Sequence, residues 1–153
     1  MEQCMGKWTE KISQAVSDVF SSMVGHQPEQ LDSIADHVQP GLTAIVGLTG
    51  EPAGILSVSC ELATASKIAG LMLGSEIDGS EEDARDALGE VCNMVAGSLK
   101  SSLSKQDDRC RISIPTVVSG THYHIKSMLY GEKHSVTFRF EGHLILIDLQ
   151  IES

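Results

Sequence analysis

The chain has 153 residues, with 21 Asp or Glu against 11 Lys or Arg, giving a formal net charge of −10. Phosphate backbones and anionic lipid surfaces repel such a chain, which sets nucleic-acid and membrane-surface binding aside. A 41% hydrophobic content with only 4% aromatics implies one soluble domain over 1–153, its core built from Val, Ile, Leu, Ala and Met.

The start, Met1-Glu2-Gln3-Cys4, has neither a basic n-region nor an apolar h-region, and no apolar run approaches the roughly 20 residues that span a bilayer. A cytoplasmic location is therefore expected. Trp8, Ile12, Val16, Val19, Phe20 and Met23 recur at helical spacing, and Gly25 is a stop signal. The stretch from His26 to Gly41 holds Pro28 and Pro40, with a short helix expected over 29–37. Two apolar runs, 42–48 and 55–59, flank a Gly/Pro turn and predict a hairpin. Ser59 is the expected cap of a second helix built on Leu62, Ala65, Ile68, Ala69 and Met72 and ended by Gly74. Ser80 to Asp83 forms a capping box that opens a third helix, running to about Ser104. Strands are then expected over 111–118, 121–130, 134–140 and 143–151, the last two joined in a tight hairpin at Glu141-Gly142. The two hairpins are alike in outline, GLTGEPAGILSVS beside FRFEGHLILIDLQ. This order of elements predicts an α+β fold, an antiparallel sheet with long helices packed on one face. An open edge of such a sheet can pair with another copy.

The third helix carries the candidate site. At about 100° per residue, Ala84, Leu88, Val91, Val95 and Leu99 form an apolar stripe. Asp86, Glu90, Asn93 and Gly97 are spaced i, i+4, i+7 and i+11 and group on the other side, with Gly89, Ser101 and Ser104 nearby. An acid and a neutral amide on the wet side of a helix have no role in core packing. A glycine inside a helix costs about 1 kcal/mol relative to alanine, and on a surface its use is to let another chain come close.

This pattern resembles the CheX/CheC/FliY family of chemotaxis phosphatases. The family motif is an Asp or Ser, a Glu, an Asn and a later Pro, carried here by Asp86, Glu90, Asn93 and Pro115, the last within RISIPTVVSG. The likeness in layout covers nearly the whole chain. The first helix, WTEKISQAVSDVF, has no Glu-x-x-Asn, so the likeness is to the single-site, CheX-like branch, whose members are homodimers joined through their sheets. The resemblance implies hydrolysis of the phospho-aspartate of a CheY-like receiver domain. It also implies that this chain binds no cofactor, because the receiver supplies Mg²⁺, a lysine and a hydroxyl. Glu90 and Asn93 are then the catalytic pair: Glu90 pairs with the receiver's lysine and Asn93 orients the attacking water. Asp86 and Gly97 meet the partner, although Asp86 in an early turn also suits the helix dipole. Pro115 shapes the strand beneath the helix. The alternative is a non-catalytic receiver-binding or scaffold module using the same face.

Other groupings point to structure. His122 and His124, with His134 and His143, lack zinc-like companions and read as surface histidines. Gly47, Gly50 and Gly54 lack a Lys-Ser/Thr end and read as a turn. Cys4, Cys60, Cys92 and Cys110 have no Cys-x-x-Cys spacing and read as free thiols, mostly in the core. Met5, Met23, Met72 and Met94 read as core filler.

Overall fold

The computed structural model describes residues 2–32, 41–103 and 109–152. Helix α1 (Glu2–Val19) runs into a π-helical turn, Phe20–Val24, that ends at Gly25 with φ 83°. A short strand β1 (Glu29–Gln30) precedes the hairpin β2 (Leu42–Thr49) and β3 (Gly54–Cys60). Helices α2 (Leu62–Met72) and α3 (Glu81–Leu103) follow. Short strands β4 (Arg111–Ile112) and β5 (Thr116–Ser119) lead to the hairpin β6 (Gly131–Phe140) and β7 (His143–Glu152).

The strands form one antiparallel sheet in the order β1-β6-β7-β3-β2-β4, with β5 also on β2. Strand alternation sends Ala44, Val46, Leu48, Leu56, Val58, Val136, Phe138, Ile145, Ile147 and Leu149 to one face, where they are buried. The helices cover that face with Ile12, Val16, Phe20, Ile68, Leu88, Val95 and Leu99. Phe20 meets Phe140 edge-on, with ring centroids 5.3 Å apart. The layout expected from the sequence, helices on one face of an antiparallel sheet, is the one found.

The chain uses one arrangement twice. A helix, a short edge strand and a hairpin occur as α1-β1-β2-β3 and again as α3-β5-β6-β7. Each edge strand crosses to the other unit's hairpin, β1 onto β6 and β5 onto β2, while β3 and β7 pair at the centre. The likeness of the two hairpins thus has a structural counterpart.

Several local expectations need correction. Glu29 and Gln30 are strand, opposite Arg139 and Phe138, and not the start of a helix; the rest of that expected helix lies outside the described residues. Ser59 does not cap α2. It sits at the end of β3 with its Oγ 2.9 Å from Thr43 Oγ1, and Glu61 takes the cap position in extended conformation. The 121–130 segment is not a strand. It has no ladder partner and lies over the open face of the sheet, held by Tyr123 Oη 2.9 Å from Thr43 Oγ1 and by Gln150 Nε2 donating to Leu129 O. The strand expected over 111–118 is broken between β4 and β5. Leu48 pairs with Ile112 and Ile45 with Thr116, so Val46 and Gly47 face Ser113, Ile114 and Pro115, one residue too many. This is a bulge on an edge strand, a position where proline's missing N–H costs no ladder bond.

The capping box forms as expected: the Asp83 N–H donates to Ser80 Oγ and the Ser80 N–H to Asp83 Oδ2, both at 3.1 Å. Replacing the hydroxyl exposes orphan donors at the start of α3. Ser80→Ala is therefore expected to cost about 1 kcal/mol and to lower the thermal midpoint by about 2–4 °C, read by circular dichroism.

Candidate functional site

The rotation of α3 is fixed by its buried side. Ala84, Leu88, Val91, Val95 and Leu99 are at most 1% exposed, and Cys92 and Ala96 are fully covered. On the other side Asp86 and Glu90 are exposed, while Asn93 and Gly97 are half-buried. No hydrogen bond or ion pair ties Glu90 or Asn93 to another described residue. A carboxylate and a carboxamide one turn apart are thus presented together, each with its hydrogen-bonding capacity unspent. A Cβ placed on Gly97 would meet nothing within 4 Å, so the fold itself makes no use of that gap.

Gly89 is different from its sequence-based placement beside this open face. It is buried, and a Cβ there would stand 3.3 Å from Val117 Cγ2 and 4.0 Å from Cβ and Cγ of Pro115. Pro115, half-buried, therefore does pack beneath the motif helix. The bulge turns it toward α3, where it meets the helix one turn before Asn93. Gly89 and Val117 are the residues that sequence reasoning missed. The available signal was a helix-interior glycine four residues before the amide.

Cys92 neighbours Asn93 in sequence but points the opposite way. Its Sγ lies 3.5 Å from the Ala44 carbonyl, and burial pushes the thiol up to about 12. A thiol held neutral and walled off from solvent is no nucleophile. Cys60, also buried, is likewise pushed up to about 12 by desolvation.

The histidines form no centre. His122 and His124 are exposed on the 121–130 segment, but His134 is buried, contrary to the surface placement expected for it. It shares strand parity with Val136 and Phe138, and its ring lies 5.9 Å from that of Trp8 on α1. Among the described residues no group of three or more His, Cys, Asp or Glu is placed to hold a metal ion, and no helix is long and apolar enough to cross a membrane. Cys60, Cys92 and Cys110 are buried free thiols, and Met23, Met72 and Met94 pack against the core; the side chains of Cys4 and Met5, and all of Ser104, lie outside the described residues.

A family model described as "Chemotaxis phosphatase CheX" matches residues 42–141, a span that includes α3 and the bulge. The chain belongs to the CheX family of chemotaxis phosphatases. The CheY-P phosphatase CheX of Thermotoga maritima is 33% identical over 117 residues, covering 74% of this chain and 76% of that protein. The crystal structure of a chemotaxis protein CheX from Desulfovibrio desulfuricans superposes with a TM-score of 0.80 at 25% identity, covering 94% of this chain and 97% of the other. A crystal structure of a CheX–CheY–BeF3–Mg²⁺ complex from Borrelia burgdorferi shares the fold, with a TM-score of 0.77 at 23% identity over 95% of this chain and 97% of the other.

The inward placement of Cys92 has a direct chemical check. Treated with a maleimide at about pH 8, the native protein is expected to leave Cys60 and Cys92 unmodified by mass spectrometry and to react at both after unfolding. Fast labelling of Cys92 in the folded protein would contradict a rotation of α3 that turns this thiol toward the sheet.

Proposed function

We propose that this CheX-family protein hydrolyses the phospho-aspartate of a CheY-like receiver domain, and that Glu90 and Asn93 on α3 perform the work. The observation that carries this reading is the unspent Glu90/Asn93 pair on a helix that its buried stripe holds in place. The relative from Thermotoga maritima, a CheY-P phosphatase, supports the reaction class.

Phosphoryl transfer needs a held nucleophile and stabilised charge more than it needs covalent help from the protein. The Asn93 carboxamide accepts a hydrogen bond from water through its oxygen and donates through its nitrogen. It is neutral, so it can stand near phosphoryl oxygens without repelling them. The water oxygen bonds to phosphorus as the bond to the aspartyl oxygen breaks. The receiver's carboxylate leaves, and inorganic phosphate is the product. Glu90 engages a cation of the receiver, its active-site lysine in this reading, and so orients the insertion. Asp86, exposed one turn earlier, and Gly97 extend the docking face. Mg²⁺ in this scheme belongs to the receiver, and this chain contributes no metal ligand. A cytoplasmic location and a homodimer joined through the sheets complete the proposal. The exposed apolar side chains of Ile125, Met128 and Tyr130 are available to such a dimer, and sedimentation equilibrium should give twice the mass of one chain.

The decay of a phosphorylated receiver, with and without the protein, tests the central point. Asn93→Ala is expected to lower the accelerated rate on the order of a hundredfold, the loss typical of removing one preorganised polar contact to a reacting centre. Docking and folding should survive, since alanine is a better helix former than asparagine by about half a kcal/mol. Glu90→Ala should weaken docking as well as rate. Docking without any acceleration by the wild-type protein would instead establish a receiver-binding module.

Charge gives a second check on the same assay. A chain of net charge −10 approaching an acidic receiver pocket is slowed by its own field. Raising ionic strength from about 0.01 M to 0.15 M shortens the Debye length from about 30 Å to 8 Å. The value of kcat/KM is therefore expected to rise with salt over that range, and a steep fall would point to attraction between the partners.

A further inference from the structure

We propose that Gly89, Pro115 and Val117 form a seat that sets the position of Asn93, so that all three are positioning residues for the reaction. The inference rests on Asn93 acting on a phospho-receiver and names how its amide is held.

A helix interior favours alanine over glycine by about 1 kcal/mol, and Gly89 is buried, so flexibility at a surface is not what it provides. What it provides is space. A Cβ at 89 would stand 3.3 Å from Val117 Cγ2 and 4.0 Å from the Pro115 ring, the first inside the ordinary 3.5–4.0 Å carbon contact. The edge strand cannot easily yield. Thr116, Val117, Val118 and Ser119 are in register with Ile45, Ala44, Thr43 and Leu42. On the other side of the bulge the Ser113 N–H donates to Gly47 O at 2.9 Å, and Ser113 Oγ accepts from the Gly47 N–H at 2.8 Å. The strand is thus pinned before and after Pro115, whose ring also fixes its own φ. A methyl group at 89 therefore displaces α3. Asn93 lies four residues on, on the same flank of the helix, and moves with it.

Displacement of a water-orienting group by a fraction of an ångström falls on the transition state, so kcat should suffer and KM should not. A purely structural role predicts the reverse: lower stability and an unchanged turnover of the molecules that remain folded.

The test uses Gly89→Ala, Val117→Ala and the double variant in the full chain. Gly89→Ala is expected to lower kcat for phospho-receiver hydrolysis at least about tenfold, with KM and the thermal midpoint little changed. Val117→Ala removes the atom in conflict, so the double variant should recover most of the kcat shown by Val117→Ala alone. The Asn93 side-chain amide signals in an ¹H–¹⁵N spectrum should shift in Gly89→Ala and return in the double variant. That readout needs no receiver, so it judges the seat even if the wild-type protein proves inactive, an outcome that would overturn the functional reading instead. Unmoved amide signals, a wild-type kcat in Gly89→Ala, or a double variant no better than Gly89→Ala would each overturn the seat.

Discussion

Burial of one side of α3 is the constraint on which the rest of the molecule depends. Ala84, Leu88, Val91, Cys92, Val95 and Leu99 are all but inaccessible, and each large apolar side chain so covered is stabilised by about 1.5–3 kcal/mol. Turning the helix by one residue, about 100°, would bring Glu90 into the contact now made by Val91. A carboxylate there would lose its hydration with no partner among the aliphatic groups of β2 and β3. The rod therefore has one rotation. Everything proposed for the wet side, from the exposed carboxylate to the half-buried amide, follows from what the dry side forbids.

The chemistry available to that wet side is narrow. Cys92, the one thiol in the middle of the helix, is sealed against the Ala44 carbonyl. Glu90 and Asn93 can hold, orient and pair, and among the described residues no group of three or more His, Cys, Asp or Glu is placed to hold a metal ion. Such a surface is incomplete alone. It becomes useful where a second protein already carries a phosphoryl group and its counter-charges, and where positioning is the missing ingredient.

How much of this was legible in the sequence depended on how local each signal was. The stripe of α3, its capping box and the Glu141-Gly142 turn are written within a few residues of one another, and periodicity alone located them. So were the four residues on the wet face. Long-range information was not. Nothing near Glu29 announces a two-residue strand, because its reason is the far-off edge of β6. The 121–130 run has strand-like residues but no strand beside it, so backbone pairing never arises. Gly89 looked open on a helical wheel because the wheel knows nothing of β5. Its neighbours are Val117 on β5 and Pro115 in the bulge before it, long-range contacts that no periodicity reports. His134 is a different kind of miss: its parity with Val136 and Phe138 already placed it inward.

The twofold arrangement of the fold sharpens the argument for α3 by showing what the same scaffold does without the motif. Helix α1 lies over β6 as α3 lies over β2, and Glu10 and Ser13 repeat the spacing of Glu90 and Asn93. The residues that follow match in burial too: Ile12, Ala15, Val16 and Val19 are covered, as are Cys92, Val95, Ala96 and Leu99. Yet Ser13 is a hydroxyl whose Oγ lies 2.6 Å from Gln30 Oε1 on β1. Its polar capacity is spent on its own edge strand, at the surface. On α3 the contact between helix and edge strand lies one turn before Asn93 and is apolar, made by Gly89 with Pro115 and Val117. Asn93, at the position equivalent to Ser13, makes no such bond to a described residue. An amide can be offered to a partner only where the neighbouring packing does not need it, and at these two equivalent positions it is Asn93 on α3, as the proposed function requires, that is left without a bond to a described residue.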